Sequence, residues 1–296
     1  MTEHVLMELR QRFSALPAPV IIYNKSHSGS RLLARALQSQ GVLLGAERNE
    51  SEDALPILPV VEHGVLRFYP DYSRLWQGDG AEISALASLT ERAFSRHLTG
   101  YSGTGAWGWK LCETLYALPF FAFIFSQAKV IHVLRDGRDV AWSDHVAPEL
   151  PFWRKIYFNT ERVGHWRGRP LSNRAYEAES HLFNALHWLN SVEQGRAYGM
   201  MLGDRYREIR YEALCADCPG TIESLRGWLG IAGDDAALAK FAATVHGRSI
   251  GKYRGRPRRK RDAVARLLDP ALASFGYPVA QAGPALAHRL GLHLRR

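Results

Sequence analysis

Short runs of consecutive apolar residues alternate in this sequence with longer stretches whose apolar residues recur every three or four positions. The runs read as strands buried on both faces, the recurrent stretches as helices. Pro17 and Pro19 break a short N-terminal helix, and Val20, Ile21, Ile22 and Tyr23 follow as a first strand. A polar loop, residues 24–30 (NKSHSGS), opens a helix with Leu32, Leu33, Ala36 and Leu37 on one face. Residues 41–45 (GVLLG), apolar and bounded by glycines, predict a second strand, and residues 106–110 a third. Ile83, Leu86, Phe94 and Leu98 stand at helical spacing between them. Residues 115–126 predict a buried helix, residues 129–134 (KVIHVL) a strand, and DGRDVAWS the start of another helix. Leu182, Leu186 and Leu189 mark a long helix, residues 205–211 a last strand, and TIESLRGWLG a helix closed by Gly230.

This alternation predicts an α/β chain, a central parallel β-sheet flanked by helices on both faces, in a single domain over residues 1–296. Neither an internal repeat nor a linker interrupts it. Residues 146–175, rich in Pro, Gly, aromatics and Arg, read as an excursion from the core. Ligands of such sheets sit beyond the carboxyl ends of the strands, which singles out residues 24–30, 110–113 and 135–143.

Composition narrows the class. With 46% hydrophobic and 23% charged residues the chain is globular, and it is long enough to need no staple. Three cysteines exclude a disulfide scaffold and fit a reducing compartment. The longest apolar stretch, twelve residues containing Pro119, falls short of the roughly 20 that a membrane span needs. The first residues carry Glu3 and Glu8 and no signal-peptide core, so the expectation is a soluble, cytoplasmic protein without a membrane span. Lys and Arg outnumber Asp and Glu by 38 to 29, a net charge of +9, and six of the cations lie in residues 254–261 (RGRPRRKR). This run predicts a solvated basic loop whose first residues close over a nucleotide. It offers nucleic acid no recognition helix and no stacking platform, which argues against that partner.

The chemistry begins in the first loop. A strand, a polar Gly-containing loop and a helix start aim backbone N–H groups at an anion. Ser26, Ser28 and Ser30 add hydroxyls, and Lys25, His27 and Arg31 add charge. A kinase-type loop reads G-x-x-x-x-G-K-[ST]. With Gly29 as its second glycine, Asn24, Ser30 and Arg31 fill the other three defining positions, so the ATP–magnesium equipment is missing. A second segment sets Arg135 at a strand end and Ser143 eight residues on, where a guanidinium can fork onto phosphate.

Together the segments resemble the sulfotransferase superfamily that uses 3′-phosphoadenosine 5′-phosphosulfate (PAPS). Its strand-end [KR]-S-G-[ST] loop is matched by His27-Ser28-Gly29-Ser30, and its R-x-x-[RK]-D-x-x-x-S segment by Arg135, Arg138, Asp139 and Ser143. Its R-Y-E-x-L segment is similar to residues 210–214, and its late basic loop to residues 249–255 (SIGKYRG). The resemblance implies a P-loop-like sulfotransferase fold and transfer of a sulfuryl group from PAPS to an acceptor hydroxyl or amine. It implies that Ser28, Gly29, Ser30 and Arg31 hold the 5′-phosphosulfate and that Arg135, Ser143, Ser249, Lys252 and Arg254 hold the 3′-phosphate. Tyr211 would contact the adenine region, and no metal is implied.

Two catalytic roles depart from the pattern. His27 stands where the family has Lys or Arg. It is the expected cation, as imidazolium, with Lys25 the substitute. Glu47, about twenty residues past the loop, is the expected base. The alternative position two residues after Lys110 holds Cys112, with Glu113 adjacent. Lys110 is expected to help neutralise the sulfuryl group. A non-catalytic nucleotide or nucleic-acid binder of the same fold, or a kinase, remains the alternative. Cys215 and Cys218 form a C-x-x-C without a second ligand pair and read as structural, and His132 reads as a core histidine. The acceptor is left open. Trp153, Tyr157, Phe158 and Trp166 with Arg154, Lys155, Arg162, Arg167 and Arg169 suit a carbohydrate or other anionic acceptor, or a homodimer contact.

Overall fold

The computed structural model describes residues 2–143, 151–158 and 173–279. In chain order it holds α1 (Thr2–Phe13), β1 (Val20–Asn24), α2 (Ser30–Ser39), α3 (Leu58–Phe68), α4 (Arg74–Gln77), α5 (Gly80–His97) and β2 (Gly108–Lys110). There follow α6 (Thr114–Ile124), β3 (Lys129–Leu134), α7 (Gly137–Val140), α8 (Pro151–Phe158), α9 (Asn173–Met200) and β4 (Tyr206–Arg210). The last are α10 (Tyr211–Ala216), α11 (Cys218–Leu229), α12 (Asp235–Ala242) and α13 (Arg258–Ser274).

The four strands form one parallel sheet in the order β2-β1-β3-β4. Every residue of β1 is buried, because alternate side chains feed two cores. Ile21 and Tyr23 point into a cluster with α1, α3, α5 and α6, while Val20 and Ile22 meet Leu33 and Leu37 of α2 and Ile222 and Leu225 of α11. Helices therefore cover both faces, as expected for a parallel sheet. Leu134, α7, α9 and α13 close the β3 end of the molecule around Trp188 and Leu268. Where α9 crosses the sheet, Gly195 lies so close that a Cβ would stand 2.8 Å from the His132 ring and 3.0 Å from Tyr23.

Three expectations are corrected. Residues 41–45 are not a strand: a single bridge pairs Leu43 with Trp107, and Gly41 and Gly45, at φ of 84° and 93°, turn the backbone out of extension at both ends. The expected excursion falls partly outside the described residues, which omit 144–150 and 159–172 and with them Arg162, Trp166, Arg167 and Arg169. Its described parts are α8, whose Phe152 and Ile156 belong to the main core, and the first residues of α9. The basic run is not simply a loop: a 3-10 turn ends at Gly255, and α13 starts at Arg258. Among the described residues no helix is long and apolar enough to cross a membrane.

Candidate functional site

The loop after β1 is shaped by two residues in the left-handed region, His27 at φ 69° and Gly29 at φ 89°. Gly29 is required twice over. It caps α2 in a conformation that L side chains resist, and a Cβ on it would lie 2.2 Å from the Tyr211 ring. The first turn of α2 holds no acidic side chain, and no side chain caps it, which leaves the start of the helix a candidate anion site. Ser28 is fully buried and its Oγ has no hydrogen-bond partner among the described residues. A buried hydroxyl left unsatisfied costs stability, so it fits a site that receives an oxygen-rich ligand. Ser30 is buried beside it, and Arg31 is exposed.

Arg135, just past β3, bridges the second half of the site. Its Nη1 donates to the His27 carbonyl at 3.1 Å, its Nη2 donates to the Ser249 carbonyl, and its guanidinium lies 4.9 Å from the centre of the Tyr211 ring. Its Nε is buried without a partner among the described residues. Tyr211 thus packs between Gly29 and Arg135, and its ring serves the walls of the site. Asp136 caps α7 and grips Arg138 through both carboxylate oxygens, at 2.9 and 2.7 Å, and Arg138 lies 4.9 Å over the Tyr253 ring. Ser143 is half-buried just past α7, its carbonyl held by Asn184 at 2.7 Å. Lys252 and Arg254 are exposed on the 3-10 turn Lys252–Gly255. The structure therefore gathers Ser28–Arg31, Arg135, Tyr211 and Ser249 in one place and sets Ser143, Lys252 and Arg254 around it.

The expected catalytic residues are partly redistributed. A narrow cleft opens beside the loop, between Lys25 and Ser26 after β1, Cys112 and Glu113 after β2, Tyr116 of α6, and His187 and Ser191 of α9. Lys25, 1% exposed, lies in it, whereas the His27 side chain is exposed and lies outside its lining. Burial pushes the Lys25 ammonium down to about 7, against the pull of Cys112 and Glu113. Burial and the Asp53 carboxylate push Glu113 up to about 7, against the attraction of Lys110 and Lys25. Ser26 Oγ donates to Glu113 at 3.4 Å. Two groups of opposite charge type thus titrate near neutrality in one cleft.

Glu47 is not in that lining. Both its carboxylate oxygens accept from Arg96, which holds its pKa below the usual carboxylate range, and its side chain is half-exposed. Lys110 stands at the end of β2 but turns to Asp53 Oδ1 at 2.6 Å and the Ser51 carbonyl at 3.1 Å. Burial would lower its pKa, and the fields of Cys112 and Asp53 raise it instead. Sequence reasoning missed the far wall of the cleft: Tyr116 hydroxyl bonds His187 Nε2 at 2.8 Å and Ser191 Oγ at 2.7 Å. These residues lie some seventy positions apart in the chain, and no local pattern joins them.

Residues with metal-ligating side chains are otherwise employed among the described residues. Asp53, Cys112 and Glu113 bring ligand atoms within 4.8 Å of one another, but the Lys110 ammonium already occupies Asp53. Burial pushes the Cys112 thiol up to about 11. Cys215 and Cys218 are free thiols, and Cys218 packs in the core with Leu214 and Ile222. His132 is a core histidine pushed by burial down to about 3, its Nδ1 bonded to the Tyr206 hydroxyl at 2.9 Å.

Comparison with known proteins gives these features a context. A sulfotransferase from Mycobacterium avium, STF9, shares the fold with a TM-score of 0.51 at 11% identity, over 93% of this chain and 82% of its own. A sulfotransferase from Alicyclobacillus acidocaldarius aligns over 89% of this chain and 97% of its own, at 16% identity and a TM-score of 0.49. The sulfotransferase domain of the curacin biosynthetic pathway aligns over 90% and 99%, at 14% identity and a TM-score of 0.49. No curated protein matches the chain. Residues 19–235 match the model of the sulfotransferase family, a span that contains the 24–30 loop, Arg135, Ser143 and Tyr211. With nearly three-quarters of its length inside that match, the chain belongs to the sulfotransferase family.

Proposed function

We propose that the protein transfers a sulfuryl group from PAPS to an acceptor hydroxyl or amine, with Lys25 as the cation and Glu113 as the base. The observation that carries this reading is that Lys25 and Glu113 line one buried cleft, at the root of the loop that leads into α2. The N–H groups of Ser30 and Arg31, with the Ser28 and Ser30 hydroxyls, would take the 5′-phosphate, and Arg135, Ser143, Lys252 and Arg254 the 3′-phosphate. Sulfuryl transfer, like phosphoryl transfer, is mainly a matter of position and charge. The acceptor oxygen bonds to sulfur as its proton passes to Glu113. The bond from sulfur to the phosphate oxygen breaks, and adenosine 3′,5′-bisphosphate leaves. The charge that gathers on the leaving oxygen falls to the Lys25 ammonium and the N–H groups of α2. Glu113, held near pH 7, is basic enough to accept the proton and releases it again readily.

The testing experiment has two arms. Calorimetric titration should show binding of adenosine 3′,5′-bisphosphate and none of ADP with magnesium. Release of the bisphosphate from PAPS across a panel of alcohols, sugars and amines should appear in wild type and vanish in Glu113→Gln, which still binds nucleotide. Binding of ADP–magnesium in place of the bisphosphate would return the kinase reading, and binding without turnover on any acceptor would favour a non-catalytic binder.

A further inference from the structure

We infer that Asp139 is a positioning residue that enforces recognition of the donor's 3′-phosphate, an inference that rests on the PAPS reading above. Asp139 is buried, and its two oxygens accept different backbone donors: Oδ2 from Gly251 N–H at 2.7 Å and Oδ1 from Tyr253 N–H at 3.0 Å. Oδ2 also faces Arg135 Nη2 at 3.8 Å, four residues back along the chain. One carboxylate therefore ties the guanidinium to residues 249–254.

That segment has little structure of its own, a single 3-10 turn capped by Gly251. Its place relative to Arg135 depends on what reaches across from β3 and α7. Three links do so: the paired bonds to Asp139, the bond from Arg135 Nη2 to the Ser249 carbonyl, and the Arg138 guanidinium over Tyr253. Two of the three are charge-assisted, the carboxylate's pair of bonds and the guanidinium's bond to Ser249, and Asp139 supplies the pair. The corner also concentrates Arg135, Lys252 and Arg254, whose mutual repulsion Asp139 offsets, as Asp136 offsets the charge of Arg138.

The two edges of Arg135 divide the work. Nη1 faces the His27 carbonyl and the loop that would take the 5′-phosphate, and Nη2 faces Ser249 and Asp139. Loss of Asp139 should loosen the second edge and the Lys252–Arg254 turn, and leave the start of α2 as it is. The consequence is a loss of discrimination between nucleotides rather than a uniform loss of binding.

Calorimetric titration of wild type and Asp139→Asn with adenosine 3′,5′-bisphosphate and with adenosine 5′-monophosphate tests this directly. Wild type should prefer the bisphosphate. Asp139→Asn, which keeps the volume and one N–H acceptor, should bind the bisphosphate about tenfold more weakly and the monophosphate unchanged. Should Asp139→Asn fail to fold by its thermal melt, Tyr253→Ala loosens the same turn from its other side and should narrow the preference likewise. Equal weakening of both nucleotides, or an undiminished preference in the folded variant, overturns the inference while the donor reading stands. A wild type that does not distinguish the two nucleotides overturns the donor reading and this inference with it.

Discussion

Glu113→Gln should make the enzyme inactive and, at alkaline pH, more stable. Glu113 is 8% exposed and its pKa rises from 4.5 to about 7, chiefly through burial and then through Asp53. A raised carboxyl pKa means that the folded state holds a proton which the unfolded state has released. The stability this lends is full below pH 4.5 and is lost as pH rises through 7. Two and a half units at about 1.4 kcal/mol each amount to about 3 kcal/mol above pH 7. Part of that is already spent at pH 5, where the unfolded chain is ionised, so the loss between pH 5 and pH 8 is about 2 kcal/mol. Glutamine has the same shape and no charge to bury, and escapes the loss. The melting temperature of Glu113→Gln relative to wild type should therefore climb by roughly 3–4 °C between pH 5 and pH 8 in a chain of this size. Turnover should fall by about 10²–10⁴, the usual worth of a general base. Calorimetric melts at the two pH values and a bisphosphate-release assay measure both effects. A variant that gains nothing from pH 5 to pH 8 would refute the claim that a strained carboxylate waits in the cleft, whatever its activity.

Other substitutions probe separate parts of the site. Gly29→Ala places a Cβ 2.2 Å from the Tyr211 ring at a φ of 89°, so it should cost about 2–4 kcal/mol in urea unfolding and abolish bisphosphate binding. Gly195→Ala drives a methyl against His132 and Tyr23 and should cost about 1–3 kcal/mol, read by the same unfolding assay, with the nucleotide Kd unchanged. Glu47→Ala breaks only the pair with Arg96 and should leave turnover at the wild-type rate; a loss comparable to that of Glu113→Gln would restore Glu47 as the base.

The two central strands, β1 and β3, were legible because each is an apolar run with no competing periodicity: residues 129–134 appear in the structure with the bounds that KVIHVL predicts. The 41–45 run deceived for a definite reason. Its apolar content was right for a strand, but its flanking glycines adopt positive φ, and strand pairing is a tertiary fact that a five-residue run does not contain. The half of the site built on the 24–30 loop was legible for the opposite reason, since a strand-to-helix turn, a close-approach glycine and an arginine at a strand end are local devices. The cleft was not. Lys25 and Glu113 meet only because β1 and β2 are neighbours in the sheet, and Tyr116 meets His187 only because α9 returns across it. Glu47 had the right offset, but sequence could not reveal that Arg96 on α5 holds it at the surface. Position along the chain ranked three glutamates, and burial reorders them.

The coupling of Lys25 and Glu113 has a further consequence for pH dependence. Each favours the charged form of the other, yet burial opposes both charges, and both pKa values lie at about 7. On the proposed mechanism the free enzyme needs Glu113 without its proton and Lys25 with one, which should confine kcat/KM to a narrow bell near neutrality. A bound anionic donor favours the Lys25 ammonium, so the profile of kcat should extend further on the alkaline side. Lys25→Met removes the ammonium and with it one of the attractions that hold Glu113 down. The alkaline limb of kcat/KM should then disappear, since no lysine titrates there, and the acidic limb should move up. The residual rate will be low, so the kcat/KM profiles must be taken at high enzyme concentration with PAPS well below its KM. An unchanged acidic limb in Lys25→Met would mean that the two groups do not feel each other. The base would then have to be sought outside the cleft.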